Sequence, residues 1–512
     1  MSAPVQETRL SLLRDLSQIG GRGRAEHESV TRIREVFHPV AEHLRALDPE
    51  VVLIVGPRGA GKSQLFKAIT DAGLVPAIAR HAPSLQRLPS DPTKSKWLSG
   101  YRLEKQDFDP RGLRRFLDKF GQESETVADL WFSYLVRVLA ERLDEHATER
   151  LKGVLLPQAG DPEAVFLAFR QTEGDPLLAL DRLDDALEKR GEYVFVAYDE
   201  LDTLGGTDWN AMTVGIQGLV ALWATYSRRW RRIRAKIFLR TDLFERHATS
   251  GGADLAKLAA GRVDLFWSER SLYSMLLKRI VNASPRLEEY LLGARRNSWS
   301  HDSDLGWIPT LQRWEDARPA IERIIGPYMG VGVKKGRTYR WLIDHVRDGR
   351  GRALPRPFVR LIEEAAWIEA DAPRSVRWPR IIHPTSLRSA LDKVSDEYVE
   401  HAKAEWPWLQ GIKERVKGEQ VPWERRRDLE RLLEPSRGGG ENRLGRPPFD
   451  DPRELVEYLV EVGVFRRRPD ERIDVPDLFL GSSGYSVGRR VEIEASTVKV
   501  DGRLEVLPVA EA

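Results

Sequence analysis

Eight residues, GPRGAGKS from Gly56 to Ser63, constrain the fold of this chain more than any other stretch. They match the pattern G-x-x-x-x-G-K-[ST] in full. They also follow the apolar, β-branched run VVLIVG (51–56) and precede residues of helical composition at 62–72. A strand, a glycine-rich turn and a helix in that order form a phosphate cradle. The glycines let the backbone curl so that successive N–H groups converge on an anion, and the helix adds its positive N-terminal end. Gly59, Ala60 and Gly61 are expected to form the cradle, Lys62 to place its ammonium on β- and γ-phosphates, and the Ser63 hydroxyl to ligate Mg²⁺. The expected ligands are ATP and Mg²⁺, and the expected contact set is Gly56, Pro57, Arg58, Gly59, Ala60, Gly61, Lys62, Ser63 and Gln64. A chance glycine-rich turn is the competing reading, and the flanking strand and helix argue against it.

A phosphate cradle that works on its ligand also needs a carboxylate at the end of a nearby strand. YVFVAYDE (193–200) is a buried-strand pattern that ends in Asp199, placed to join Ser63 around Mg²⁺. Glu200, directly after it, is suited to polarise an attacking water, which favours hydrolysis over transfer to a substrate hydroxyl as in a kinase. The same DELD cluster could serve as a helix cap, with Asp202 its structural member. A third strand, KIFLRTD (236–242), carries Arg240, Thr241 and Asp242 at its carboxyl end, where open α/β sheets bind ligands. Thr241 and Asp242 are therefore candidate γ-phosphate contacts, although a polar strand end is also an ordinary feature.

Apolar positions recur at helical spacing over Glu26–Leu47, where Pro39 should kink or split the helix. The same spacing recurs over roughly 127–150, 175–190 and 210–228. Strands alternating with helices predict a mostly parallel sheet covered on both faces, an α/β fold. Residues 73–125 lack a firm period and read as a loop-rich insertion. Residues 336–371 and 384–415 read as helical, and 436–448 as an exposed loop or linker. The chain has 512 residues, enough for two to four domains at roughly 100–200 residues each. The expected division is an N-terminal helical segment (1–47), a core (48–282) with an insertion at about 73–190, a helical lid (283–372) and a C-terminal winged-helix-like domain (373–512).

The 81 Lys and Arg against 78 Asp and Glu leave a net charge of +3, too small for bulk attraction to nucleic acid or membrane, so any basic footprint must be local. With no cysteine, disulfides, thiolate zinc sites and cysteine nucleophiles are excluded. The ten histidines show no HExxH-like spacing, so no metal beyond nucleotide-bound Mg²⁺ is expected. A charged start and the lack of any long apolar run predict no membrane span and a cytoplasmic location. The fifteen tryptophans are read mainly as packing groups, with exposed ones as interface candidates.

The ordered set GPRGAGKS, VFVAYDELD and KIFLRTDLF resembles the AAA+ and STAND-type ATPases of bacteria, particularly the branch related to origin-recognition and Cdc6-like proteins. RVDLFWSERSLYSMLLKRI (262–280) resembles the strand and helix that follow the third motif in that branch. LPRPFVRLIEEA (Leu354–Ala365) is similar to its lid helix, in which a Pro-Arg pair supplies a second sensor of the γ-phosphate. The resemblance thus implies a catalytic set of Lys62, Asp199, Glu200 and Arg356. It covers roughly residues 30–370 and implies a hydrolysing molecular switch, regulatory or serving in anti-phage defence. The stretch between Ser63 and Asp199 is longer than a minimal core of this kind needs. No arginine finger stands out among Arg228, Arg229, Arg231, Arg232, Arg234, Arg262 and Arg270, so homo-oligomerisation stays open and ring assembly has no support.

Two basic stretches bear on a partner. SRRWRRIRAK (227–236) reads either as a phosphate contact with Trp230 for stacking or as a solvated helix end. From Pro452 onward the chain has the helix, turn and short strands of a winged helix, with Arg466, Arg467 and Arg468 where the wing would begin. In related ATPases such a module binds DNA or a protein, while a packing domain is the plainer alternative. A nucleotide-dependent DNA-binding or scaffolding protein with little turnover is therefore carried beside the ATPase reading.

Overall fold

The computed structural model describes residues 3–20, 29–81, 91–105, 107–172, 175–206, 208–249, 253–292, 298–434, 449–481, 488–489, 497–500 and 503–506. Five strands, β1 (Leu53–Gly56), β2 (Ser95–Tyr101), β3 (Tyr193–Tyr198), β4 (Ile233–Arg240) and β5 (Val263–Asp264), form one parallel sheet in the order β2-β3-β4-β1-β5. Every residue of β1 and β4 is buried, which accounts for the apolar run LIVG in β1 and requires the cations of β4, Arg234, Lys236 and Arg240, to be partnered inside the fold. Because β4 pairs with both neighbours, Gly56 lies opposite Arg240, and Tyr198 opposite Ile237. The carboxyl ends of β1, β4 and β3 therefore lie side by side.

The described residues of the stretch 73–125 are not loop-rich. They supply the edge strand β2 and the helices Val75–Arg80 and Pro110–Phe120. An edge strand has one neighbour and is only half covered, so SKWLSGY lacks the apolar run that marks the inner strands. Gly100 is required there: a Cβ would lie 2.6 Å from Val196 Cγ1 and 2.7 Å from Tyr198 Cε1. Trp97 stacks on Phe195 across β2 and β3, with ring centroids 3.9 Å apart.

The helices Ser124–Leu139 and Trp209–Tyr226 pack closely enough that a Cβ on Gly218 would lie 2.5 Å from Val127 Cγ1. Trp131 is buried between them and donates its indole N–H to Gly215 O at 2.8 Å. Trp223 and Trp230 are also fully buried. The helical stretch Glu26–Leu47 is, within the described residues, split at Pro39 as expected, into two short helices, Val30–Val36 and Ala41–Ala46.

The basic run 227–236 begins at the C-cap of the helix Trp209–Tyr226, where Arg228 and Arg229 are exposed, and continues through a turn into β4. Trp230 is buried and gives its indole N–H to Asp181 at 3.0 Å, so it is not available for stacking on a partner. Arg229 pairs with Asp181, Arg231 with Glu188 and Arg234 with Glu50. Lys236, fully buried, donates to Asp48 O (2.5 Å) and Val51 O (2.6 Å), and its Nζ lies 5.2 Å from the Phe195 ring centre. Burial pulls its pKa down to about 7.

The chain forms two compact units, Met1–Ile324 with Leu354–Glu363, and Ile325–Ala353 with Glu364–Ala512. This division differs from boundaries at 282/283 and 372/373. The first unit keeps the hairpin Trp299–Asp302 with Gly306–Pro309, and the helix Pro355–Asp371 runs from the first unit into the second. In the second unit the order is Leu409–Val416, Arg426–Leu433, Pro452–Glu461, then the hairpin Arg466–Arg467 with Ile473–Asp474, joined to Trp423 by a bridge to Ile473. The linker expected at 436–448 falls in a gap, 435–448, outside the described residues.

Asp184 ties the helix Pro176–Arg190 to the start of β4: its buried carboxylate accepts the backbone N–H groups of Arg231 (2.9 Å), Arg232 (2.7 Å) and Ile233 (2.9 Å). Asp184→Ala strands three donors and should lower the free energy of unfolding by about 3 kcal/mol, whereas Asp184→Asn, which keeps an acceptor, should cost less than half of that. Urea denaturation of the two variants checks the ranking.

Candidate functional site

The loop after β1 is shaped by two glycines in the left-handed region, Gly59 (φ 82°) and Gly61 (φ 94°). Gly61 opens the helix Lys62–Thr70, whose free N–H groups face the loop's concave side. Close packing fixes the loop from behind. A Cβ on Gly56 would lie 3.2 Å from the Cβ atoms of both Ala60 and Leu265, and the Trp267 indole N–H is donated to Ala60 O at 2.8 Å. Lys62 Nζ donates to Gly56 O at 2.8 Å and Pro57 O at 3.2 Å, so the ammonium lies over the mouth of the loop.

Asp199, the first residue after β3, is 3% exposed, and the Ser63 hydroxyl hydrogen-bonds to it. Burial raises its pKa above the usual carboxylate value, opposed by the Ser63 bond, the Glu200 backbone N–H and the Lys62 charge. Its Oδ2 is buried without a hydrogen-bond partner. A buried carboxylate oxygen left unsatisfied beside a hydroxyl ligand is the arrangement a hard divalent cation completes, so these residues fit Mg²⁺.

Glu200 has the left-handed backbone conformation φ 56°, ψ 26°, which costs a residue with a Cβ on the order of 1 kcal/mol or more. The turn is held by Thr203, whose N–H (2.9 Å) and hydroxyl (2.6 Å) both donate to Glu200 O. It keeps the second carboxyl on the same wall as Asp199, half-exposed where Asp199 is buried.

At the end of β4 the guanidinium of Arg240 is 9% exposed and bridges Asp202 (3.1 Å) and Asp242 (3.1 and 2.8 Å). Arg240 and Asp202 reach the cavity wall. Thr241 and Asp242 do not: Thr241 begins the helix Thr241–Thr249, and Asp242 is held behind Arg240. The polar strand end thus contributes a residue to the site, but a different one from the pair expected.

These elements enclose a cavity of about 340 Å³, within the range of small-ligand sites and lying entirely in the first unit. From the loop it takes Arg58, Gly59, Gly61, Lys62, Ser63 and Gln64, while Gly56, Pro57 and Ala60 lie behind the surface as its support. From the helix Pro355–Asp371 it takes Pro355, Arg356, Val359 and Arg360. Arg356 packs on the loop so closely that a Cβ on Gly59 would lie 3.2 Å from its own Cβ. Arg360, one helical turn on, is paired with the buried Glu363, which also accepts Gly20 N–H at 3.1 Å. Arg279, on the helix Glu269–Val281, donates to Ile19 O at 3.1 Å. Six cationic side chains (Arg58, Lys62, Arg240, Arg279, Arg356, Arg360) face three carboxylates, a charge pattern suited to a polyanion. Arg360 could have been read from its spacing four residues beyond Arg356. Arg279 and Gly20 carry no local sequence signal.

A parallel sheet in which the loop-bearing β1 lies beside β4, with the acid-bearing β3 next beyond, defines a P-loop NTPase fold. No protein-family model and no curated protein sequence matches the chain. Among solved structures it is similar to the Aeropyrum pernix ORC2 protein in its ADPNP-ADP complexes, with 12% identity over 85% of this chain and 86% of that one and a TM-score of 0.34. It is also similar to Cdc6p from Pyrobaculum aerophilum, with 12% identity over 83% of each chain and a TM-score of 0.27. The fold assignment rests on the sheet order and the loop geometry. Among the described residues no helix is long and apolar enough to cross a membrane.

A raised Asp199 pKa means that the folded chain binds a proton more tightly than the unfolded one, so this group's effect on stability worsens as pH climbs through the window above 3.8. Without nucleotide and Mg²⁺, Asp199→Asn should therefore raise the Tm at pH 7–8 by a few degrees, and the gain should shrink towards pH 4 as the wild-type carboxyl protonates. Thermal melts at both pH values check the sign.

Proposed function

We propose that this chain is a Mg²⁺-dependent ATPase of the AAA+-like kind, working as a switch. The observation that carries the proposal is the buried Asp199 carboxylate, hydrogen-bonded to Ser63 and with Oδ2 unsatisfied, next to Glu200 on the wall of a strongly cationic cavity. In this reading the loop N–H groups and Lys62 hold the β- and γ-phosphates, and Ser63 and Asp199 hold the metal. Bound Mg²⁺ would neutralise charge on the phosphate oxygens as the terminal bond breaks. Glu200 accepts a hydrogen bond from the attacking water and orients it towards the γ-phosphorus, its carboxyl kept half-exposed on the cavity wall. Arg356 and Arg360, on one face of one helix, donate to the γ-phosphate, so its release would change what that helix is bonded to.

The alternative, a scaffold that only holds its nucleotide, differs in turnover. Glu200→Gln should keep nucleotide affinity within a few-fold, measured with a fluorescent ATP analogue, and lose on the order of 100-fold in phosphate release. Lys62→Ala should abolish binding itself. Equal and negligible phosphate release from wild type and Glu200→Gln, with binding intact, would leave the scaffold as the answer.

A further inference from the structure

Arg240 stands between the two halves of the site. On one side β4 pairs with β1, so that Arg240 lies opposite Gly56, where the glycine-rich loop begins. On the other side, the register that pairs Tyr198 with Ile237 brings position 240 level with 201, in the turn that follows Asp199. That turn, Leu201–Thr203, opens on Glu200. A long side chain at the end of β4 is therefore within reach of either the ligand or the turn.

The guanidinium goes to the turn. Asp242 takes one edge of the fork, from Nε and Nη2, while Nη1 donates to Asp202. One cation between two carboxylates leaves a group with a formal charge of −1, which offers an incoming phosphate no net attraction. Arginine suits such a place because its planar fork binds two acids at once at fixed angles, which the point charge of a lysine does not. The turn needs the tie. At φ 56° a residue with a Cβ persists only where its surroundings over-determine the backbone. Leu201 and Leu204, both buried, hold the turn from the core, and Thr203 closes it with its N–H and hydroxyl on Glu200 O. Those bonds set the shape of the turn. Its place relative to β4 is set on the cavity side by the Asp202–Arg240 pair, two residues beyond the carboxyl that has to be located.

We propose that Arg240 is a positioning residue for hydrolysis, acting through Asp202 to hold Glu200 where it orients the attacking water. The proposal rests on the reading of Glu200 as the group that accepts a hydrogen bond from that water. It separates Arg240 from Lys62, Arg356 and Arg360, whose work in that reading is on the phosphates themselves. Asp242 is the anchor: by holding one edge of the fork it leaves Nη1 directed at Asp202.

Phosphate release and affinity for a fluorescent ATP analogue, measured on the full chain with Mg²⁺, test the proposal together with hydrogen exchange across 199–206 in the nucleotide-free protein. Arg240→Gln and Asp202→Ala should each lower turnover about 10- to 100-fold, the loss expected when a reacting group is displaced by roughly 1 Å, while affinity stays within a few-fold. Because the two residues act as one unit, the double variant should lose no more than either single one. In a Glu200→Gln background Arg240→Gln should cost nothing further, since no carboxylate is left to place. The Thr203 and Leu204 amides should exchange about 10-fold faster or more in both single variants, with the helix Lys62–Thr70 unchanged. The Asp202 side chain is 34% exposed, so Asp202→Ala tests the link even where Arg240→Gln, which leaves two carboxylates unanswered, fails to fold. The proposal is overturned if exchange across 199–206 is unchanged. It is overturned equally if Arg240→Gln weakens ATP binding and costs a further 10-fold in the Glu200→Gln background, which is how a direct phosphate contact behaves. Turnover lost in Glu200→Gln but kept in both Arg240→Gln and Asp202→Ala strikes the positioning role alone, whereas turnover kept in Glu200→Gln removes the ATPase reading and this role with it.

Discussion

The insertion of β4 between β1 and β3 is the constraint on which the rest of the site depends. Hydrogen-bonded on both edges, β4 fixes the separation of the glycine-rich loop from Asp199 at two strand spacings, close to 10 Å. That gap is bridged from both sides by short side chains, Ser63 reaching from the helix after the loop and Asp199 from the end of β3. Had the two outer strands been neighbours, the carboxylate would crowd the loop. With one more strand between them, Ser63 and Asp199 could not meet. The fully buried Lys236, bonded to the carbonyls of Asp48 and Val51, anchors the opposite end of the same strand.

Charge is handled in opposite ways in the two units. Around the cavity, cations outnumber carboxylates, yet three of them are held in place: Arg240 by Asp202 and Asp242, Arg360 by Glu363, and Arg279 by the Ile19 carbonyl. Such groups arrive at a ligand already oriented, which reduces the ordering cost of binding. In the second unit Lys334, Lys335 and Arg337 are exposed instead, with no carboxylate among the described residues within ion-pair distance.

Much of the site was legible because its residues are consecutive. The loop from Gly56 to Ser63 and the pair Asp199–Glu200 carry their geometry in local spacing, and Arg356 could be reached through resemblance of its helix. Arg279 and Gly20 come to the cavity only through tertiary packing, and in a chain with 81 Lys and Arg nothing local distinguishes one arginine from another. Strand β2 escaped because an edge strand is half wet and its pattern is correspondingly diluted. The runs 227–236 and 466–468 stayed ambiguous in the sequence for a related reason. Sequence displays the cations together, while Asp181, Asp184, Glu50 and Asp474, which answer them, lie elsewhere along the chain or across a hairpin.

The backbone of Glu200 leaves a trace of its own. At φ 56° the residues that sit most comfortably are glycine, asparagine and aspartate, and glutamate is among those that pay for the position. Drift governed by folding stability alone would drain glutamate from position 200 and replace it with one of those three. A glutamate there trades that backbone cost for a carboxyl on the cavity wall, one methylene longer in reach than an aspartate would give.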